Sequence, residues 1–481
     1  MAPSIPFFLL LPLFLSSLPP SIQQNLSFSI DDSPWRPDQV GRILVSPNST
    51  FAAGFQSIPD SSQSYIFSIW YQSDSNRTIL WSLNGDQPVN QSASLIVTPS
   101  GALQLNGPTG QNLWRDAIGR SNDSKLLLNE DGSLVFDNWT SFDYPTDTIL
   151  PNQPFLRNKT TLIARRDLNS YAKGSYMFFD AKILTFNSSD KYWPGDDGNG
   201  FRNLTKDGVI LRDNGNLITA DANSNRNRRL TLDVDGNLRI YSLDRNSSSW
   251  TVVWQAVQEL CTIHGSCGPN FICMSNGFDS RTCVCPVGFK MVGPACERKI
   301  ELQVDRRRSK FLRLDFVNFT GGANQTDLKA PNFTTCESGC LANSRCLGFA
   351  TKFNGNQYCV HQIDRLLNGY WSPGSEVAMF LRVDESEPDE SNFTGMTTML
   401  ETICPANISL PFPPKESNAE RRNLAIICSL FAVELISGVL SFWAFLRKYS
   451  KYRDMALILT CVDSFPEVAR VGRPLFQRRN E

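Results

Sequence analysis

Among the side chains able to do chemistry, thirteen cysteines stand out. Six of them, Cys261, Cys267, Cys273, Cys283, Cys285 and Cys296, follow the spacing C-x5-C-x5-C-x9-C-x-C-x10-C. Four more, Cys336, Cys340, Cys346 and Cys359, form a second cluster in which Cys336 and Cys340 share one helix face at i and i+4. Thiolates at such density bind zinc or oxidise to disulfides, and six cysteines allow fifteen pairings that spacing alone does not resolve. The compartment argued below is oxidising, so disulfides are expected and no metal is. Only two histidines are present, His264 and His361, each inside or beside a cysteine cluster. A Ser-His-Asp triad needs a free imidazole, so no catalytic residue, no cofactor and no enzyme activity are expected. The basic run Arg306, Arg307, Arg308 and Lys310 could hold an anionic polysaccharide, but a solvated charged edge accounts for it. A net charge of −1 gives no overall pull towards nucleic acid.

The compartment is set by two apolar segments and by asparagines. Residues 7–15 (FFLLLPLFL) are too short to span a bilayer and read as the core of a signal peptide over 1–24. Residues 424–446 are predominantly apolar, with Glu434 their one charged residue, long enough to cross a ~30 Å hydrocarbon layer, and Arg447, Lys448, Lys451 and Arg453 follow. The expected span is 423–446. Fifteen N-x-S/T sequons start at Asn25, Asn48, Asn76, Asn90, Asn122, Asn138, Asn158, Asn187, Asn203, Asn246, Asn318, Asn324, Asn332, Asn392 and Asn407. All lie on the N-terminal side of the span, which predicts a single-pass type I protein with an extracellular N-terminus at the plasma membrane. A carboxylate near the bilayer centre costs at least ~2.5–3.5 kcal/mol on insertion scales, so Glu434 either faces a partner helix or stays protonated. Ser437 and Ser441 add a small-xxx-small pair nearby.

These residues must be carried by β-structure. Residues 25–257 alternate apolar and polar positions in short runs broken by Gly, Asn, Asp and Pro. A small unit recurs as SGALQL (100–105), DGSLVF (131–136), NGNLIT (214–219) and DGNLRIY (235–241). In each, a glycine supplies the positive φ of a turn and the following residues alternate across a strand. Repeated hairpins of this kind predict a closed β-architecture, present twice.

Several stretches resemble a known family. Phe51–Phe55 (FAAGF), Ile69-Trp70-Tyr71 and Ile79-Leu80-Trp81 resemble the opening of the bulb-type mannose-binding lectin domain of plant G-type (S-locus) lectin receptor-like kinases. Residues 139–153, WTSFDYPTDTILPNQ, are similar to that family's W-Q-S-F-D-Y-P-T-D-T-L-L-P-G-Q signature. Residues 228–241, RRLTLDVDGNLRIY, with Trp250 and Trp254, resemble the S-locus glycoprotein segment that follows. The resemblance implies a mainly β fold of tandem β-prisms, each made of three small sheets around one apolar core. The expected organisation is a bulb-type lectin-like domain at 25–156 and a second at 157–257.

The resemblance also implies where a sugar would sit. The family's site uses Gln, Asp, Asn and Tyr at alternate positions of Q-x-D-x-N-x-V-x-Y, all on one strand face. The first repeat offers Thr98, Ser100, Ala102 and Asn106; the second Asn129, Asp131, Ser133 and Asp137; the third Arg212, Asn214, Asn216 and Ala220. Only the fourth, with Asp233, Asp235, Asn237 and Tyr241, keeps three of the four, and Arg239 stands at its valine position. Asp-Gly-Asn is also good hairpin chemistry, so turn formation alone competes with a sugar contact there.

Residues 258–298 resemble an EGF-like module, which implies the pairs Cys261–Cys273, Cys267–Cys283 and Cys285–Cys296. So small a module has little core and depends on its crosslinks. Residues 299–384 resemble a PAN/apple domain, which implies Cys336–Cys359 and Cys340–Cys346. An acidic and proline-rich stalk is expected at 385–422, where Cys404 has no evident partner and could bridge two chains. Residues 447–481 form a short cytoplasmic tail with no kinase motif, so the expectation is a chain shortened from a full receptor kinase by truncation, splicing or a gene-model error. The expected function is a lectin-like receptor or co-receptor without a kinase. It would recognise an extracellular glycan or protein and act through a receptor kinase partner or a homodimer. The alternatives are a cell-wall adhesion glycoprotein and a competitor of full-length receptor kinases.

Overall fold

A computed structural model describes residues 23–39, 41–59, 61–119, 123–193, 200–244, 247–275, 280–302, 308–321, 325–329, 332–352, 358–373, 377–388, 393 and 418–460. Contacts divide the chain into two units, residues 1–399 and 400–481.

The first prism closes three sheets on one core. Strands Gln23–Asn25, Arg42–Val45, Phe51–Ile58, Ser61–Tyr71 and Trp81–Ser82 make one. Trp139–Thr140, Leu134–Phe136, Leu126–Leu128 and Ser27–Phe28 make the second, and Ser94–Val97, Ala102–Asn106 and Asn112–Ile118 the third. The period-two pattern that predicted these strands is visible in Leu126–Leu128, whose outer residues are buried while Leu127 is 40% exposed. Trp35 lies at the centre, edge-on to Phe67 with ring centroids 5.2 Å apart. Each such side chain, fully buried, contributes roughly 1.5–3 kcal/mol.

The second prism repeats the plan. Its sheets are Thr148–Ile149, Arg228–Leu232, Leu238–Asp244 and Ser249–Gln255; Thr161–Asp167, Ser170–Phe179, Ile183–Phe186 and Asp190–Trp193; and Phe201–Leu204, Val209–Arg212 and Leu217–Ile218. Phe178, Leu184, Leu204, Leu230 and Ile240 fill its core.

The boundary expected at 156/157 is crossed in both directions. Thr148–Ile149 pairs with Leu230 and Thr231 and so completes a sheet of the second prism. In return Leu243 is buried in the first core, Trp250 packs on it, and Trp250 Nε1 donates to Asp74 and Thr78 at 3.0 Å. Tyr71 donates its hydroxyl to the Arg228 carbonyl at 2.8 Å. Burial pushes the Tyr71 phenol up, well above its ordinary value, so it stays a neutral donor.

Beyond residue 258 the chain forms two crosslinked modules that share a core. Among the described residues five disulfides form, Cys261–Cys273, Cys267–Cys283, Cys285–Cys296, Cys336–Cys359 and Cys340–Cys346, and Cys428 is free. Strand Ile272–Ser275 pairs in parallel with Gly369–Trp371, so one sheet runs across the boundary expected at 298/299. Phe271, Ile272 and Phe289 share their apolar cluster with Leu314, Phe319 and Leu381. The small module thus borrows core as well as relying on crosslinks. A five-stranded sheet of Ser309–Leu314, Val377–Asp384, Cys346–Lys352, Tyr358–Ile363 and Gln325–Lys329 carries helix α1, Phe333–Ala342, which the Cys336–Cys359 and Cys340–Cys346 bridges pin to it. Asn332 caps α1 by accepting from the Thr335 amide at 2.9 Å.

The stalk expected from 385 does not begin there. Glu387 is buried and takes an ion pair from Lys299 at 3.1 Å, and Phe393 lies in the apolar cluster while its carbonyl accepts from Asp315. One aromatic ring inserted in a core outweighs the acidic composition around it.

In the second unit, helix α2 runs from Asn418 to Thr460. Within it, the most apolar 18-residue stretch of Asn423–Arg453 has a mean hydropathy of 2.2, and none of that stretch is buried. Among the described residues this is the one helix long and apolar enough to cross a membrane.

Candidate functional site

The hairpin faces are built by one local device. In the turns at 98–102, 129–133 and 233–237, the first residue's amide donates to the fifth residue's carbonyl, and the glycine amide donates back to the first residue's carbonyl. Gly101, Gly132 and Gly236 adopt φ of 77°, 88° and 86°, a backbone region that L side chains rarely enter. The same pair of bonds occurs at 205–209 with Gly208 at φ 83°. That turn, not the one at 214–219, is the structural counterpart of the other three. Its signal in the sequence is weak because Val209, rather than Asn, Ser or Ala, follows the glycine. The positions Arg212, Asn214, Asn216 and Ala220 are therefore corrected: they surround a second turn in that sheet, where Arg212 Nε donates to the Gly215 carbonyl at 3.3 Å.

The fourth hairpin holds a dense polar network, and the chain itself satisfies it. Arg239 Nη1 donates to Asp233 at 2.7 Å and to Asp235 at 2.9 Å, while Nη2 reaches the second Asp235 oxygen at 2.7 Å. Arg239 Nε donates to Gln255. Tyr241 donates its hydroxyl to Asp233 at 2.7 Å. Asn237 is fully buried; its amide nitrogen donates to the Val257 carbonyl at 2.7 Å and its oxygen accepts from the Val257 amide at 3.0 Å. The asparagine expected to face a sugar therefore braces the hairpin against the next segment and has no amide atom to offer a ligand. Burial raises Asp233 above the ordinary carboxylate range, with Arg239 and Tyr241 pulling the other way. Arg229 lies beneath, its guanidinium 4.1 Å from the Tyr241 ring centroid and 4.8 Å from that of Trp250.

In the second hairpin, Asp131 accepts from the amide and hydroxyl of Ser133 at 2.9 and 2.6 Å, and Asn129 donates to the same hydroxyl. Asp137 accepts from Ser124. In the first, Thr98 and Ser100 bond one another at 2.9 Å, and Thr98 also accepts from the Ala102 amide. Ala102 has no polar side-chain atom, and Asn106 pairs across the strands with Ser94 and Asn112. Each face is used to hold its own turn.

The remaining residues singled out in the sequence fall as follows. Asn48, Asn76, Asn90, Asn138, Asn158, Asn187 and Asn332 are exposed, and Asn25, Asn203 and Asn318 are half-buried. Asn122, Asn246, Asn324, Asn392 and Asn407 lie outside the described residues, as do Cys404, Arg306 and Arg307. Glu434 sits exposed on α2. His264 bonds Asp190 at 2.8 Å and Thr320 at 3.2 Å, joining the second prism to the later modules. His361 is buried against the Cys336 carbonyl at 3.0 Å, and burial lowers its imidazole below the ordinary value. Cys336, Cys359 and His361 lie close enough to hold a metal ion, but both sulfurs are spent in their disulfide.

Comparison with known proteins points to recognition. Residues 78–171 match the family model for D-mannose binding lectin, and residues 203–292 match the S-locus glycoprotein domain. The chain is 32% identical over 376 residues to a putative receptor protein kinase, ZmPK1, of Zea mays, an alignment covering 69% of this chain and 45% of that one. It is 27% identical over 414 residues to the G-type lectin S-receptor-like serine/threonine-protein kinase SD3-1 of Arabidopsis thaliana, covering 77% and 51%. The chain thus spans about half the length of these curated relatives. Among solved structures, a Marasmius oreades lectin is 16% identical and covers 25% of this chain and 95% of its own, with a TM-score of 0.18, at which nothing is inferred from it.

Proposed function

Because the chain carries the lectin and S-locus glycoprotein domains of the G-type lectin S-receptor-like kinases and is homologous to them, we propose that it is the recognition part of a cell-surface receptor. On this reading residues 25–399 face the outside of the plasma membrane, bind an extracellular glycan or protein, and pass the signal to a kinase in the same complex. The observation that carries it is the succession of two interlocked prisms, a disulfide-crosslinked part and an exposed apolar helix, α2. Six exposed sequon asparagines on the prisms and a seventh, Asn332, at the start of α1, all preceding α2, support the outward orientation. The later modules, with α1 bridged to its sheet, suit a PAN/apple role in contacts with protein or a second copy. The experiment is a glycan array probed with the full chain in lipid nanodiscs, alongside co-precipitation of membrane-associated kinases from plant cells. Binding of a glycan together with recovery of a kinase is the expected result. A protein whose mass does not fall on enzymatic N-glycan removal would refute the orientation. A glycan-binding protein that never recovers a kinase would favour adhesion.

A further inference from the structure

The hairpin faces are closed by their own hydrogen bonds, but a cleft of about 530 Å³ opens where the two prisms meet. That volume lies within the ~300–1,000 Å³ typical of small-ligand sites. None of the alternate-position residues of the four repeats lines it. Its floor is aromatic: Trp81 is 7% and Trp139 8% exposed, and Trp114 meets Trp139 edge-on at 5.4 Å. Tyr144 forms the rim, 55% exposed and nearly parallel to Trp139, with 14° between the ring planes. The Trp81 indole donates to the Tyr144 carbonyl at 2.7 Å, which fixes that rim.

Two ion pairs cross the seam, and a third lies within the second prism, where the Asp147 carbonyl accepts from the Leu232 amide beside Thr148–Ile149. Asp143 meets Lys159 at 3.3 Å, Asp86 meets Lys173 at 3.0 Å, and Asp147 meets Arg165 at 3.2 Å. The Lys173 amide also donates to Asp86 at 2.8 Å. The charged lining residues are these three carboxylates and three cations, so the cleft carries no net charge. An anionic ligand finds every cation already matched. An uncharged sugar finds what it needs: aromatic faces for the C–H side of a pyranose ring, and rim carboxylates and ammonium groups for its hydroxyls.

We propose that this seam cleft is a glycan site, and that it takes an uncharged oligosaccharide laid against Tyr144 with its hydroxyls on Asp143, Lys159, Asp86 and Lys173. This rests on the reading of the chain as a glycan-binding receptor. The test uses the full chain in nanodiscs, titrated calorimetrically with mannohexaose, cellohexaose and xylohexaose, and with hexagalacturonate as the acidic control. The variants are Tyr144→Ala, Lys159→Ala and Asp235→Ala. Tyr144 and Lys159 are exposed at the rim, and thermal unfolding of each variant checks that it is folded. The expected result is binding of at least one uncharged oligomer, weakened roughly tenfold by Tyr144→Ala, weakened by Lys159→Ala, and unchanged by Asp235→Ala. Binding that survives both rim variants overturns the cleft and leaves the glycan-binding receptor standing. Binding of hexagalacturonate alone overturns the uncharged class. Absence of binding to every sugar on a wider array overturns the cleft and the glycan reading together.

Discussion

Replacing Arg239 by valine restores the residue type that the lectin motif carries at this position, and the structure predicts that the change is harmful. Arg239 makes three charge-assisted hydrogen bonds of 2.7–2.9 Å to Asp233 and Asp235, and its side chain is 9% exposed. Removing one partner of a buried ion pair costs about 3–5 kcal/mol, because the other charges stay behind without compensation. Here the two carboxylates are 17% and 21% exposed, so water recovers part of that loss. A cost of about 3 kcal/mol at pH 7 follows. Its pH dependence has a definite sign. Burial already holds Asp233 above the usual carboxylate range, and without Arg239 it rises further. An acid whose folded value exceeds its unfolded value loses stability as pH rises between the two. The deficit of Arg239→Val is therefore largest at neutral pH and shrinks in acid, as Asp233 takes up its proton. Hydrogen exchange over residues 228–244 in the nanodisc-held chain reads this directly. Protection should fall by roughly 150-fold at pH 7 if opening is that much easier. Protection within about fivefold of wild type, or a deficit that does not shrink in acid after correction for intrinsic exchange, would refute the reasoning.

Three further outcomes follow from the same geometry. Gly236→Ala should destabilise the second prism more than Gly215→Ala. Both glycines have positive φ, but a Cβ at 236 would lie 2.6 Å from the Tyr176 ring while one at 215 meets nothing; comparative urea unfolding separates the roughly 1–2 kcal/mol of backbone cost they share from the added clash. Asn368→Ala removes bonds to the Gly265 amide, Asp190 and the Thr320 carbonyl, so exchange at Gly265 should quicken, with a cost of about 1–3 kcal/mol. Opening the Cys336–Cys359 bridge with paired alanines frees a loop of separation 23 and should cost about 3 kcal/mol in the α1 sheet, read as a lower melting temperature than that of wild type.

The sequence was legible wherever a short-range rule decides the outcome. Glycine turns, period-two burial as in Leu126–Leu128 and the helix spacing of Cys336 and Cys340 are local facts. What escaped was decided by distant partners. Thr148–Ile149 is too short to show a period, and its place in the second prism depends on Leu230 and Thr231. Composition makes 385–422 read as a stalk because it averages over single buried residues such as Glu387 and Phe393. The fourth hairpin could be found from its alternation but not interpreted. Alternation places Asp233, Asp235, Asn237, Arg239 and Tyr241 on one face and says nothing about which of them bond one another. The seam cleft was invisible for the same reason, since its walls come from segments that meet only after both prisms close.

Interlocking also bears on what such a cleft can do. Leu243 of the second prism is buried in the first core, and Thr148–Ile149 completes the second prism's sheet. Shifting one wall of the cleft against the other would therefore unpack a core or break a strand pairing, each costing more than a surface contact returns. The two ion pairs across the seam contribute little by themselves, since Lys159 and Lys173 are largely exposed and such pairs are worth about 0–1 kcal/mol. Rigidity must come from the exchanged apolar side chains, and the charges set the character of the opening. A ligand then meets a preformed aromatic floor and loses little free energy to ordering the protein, which is how a shallow neutral cleft can hold a flexible sugar.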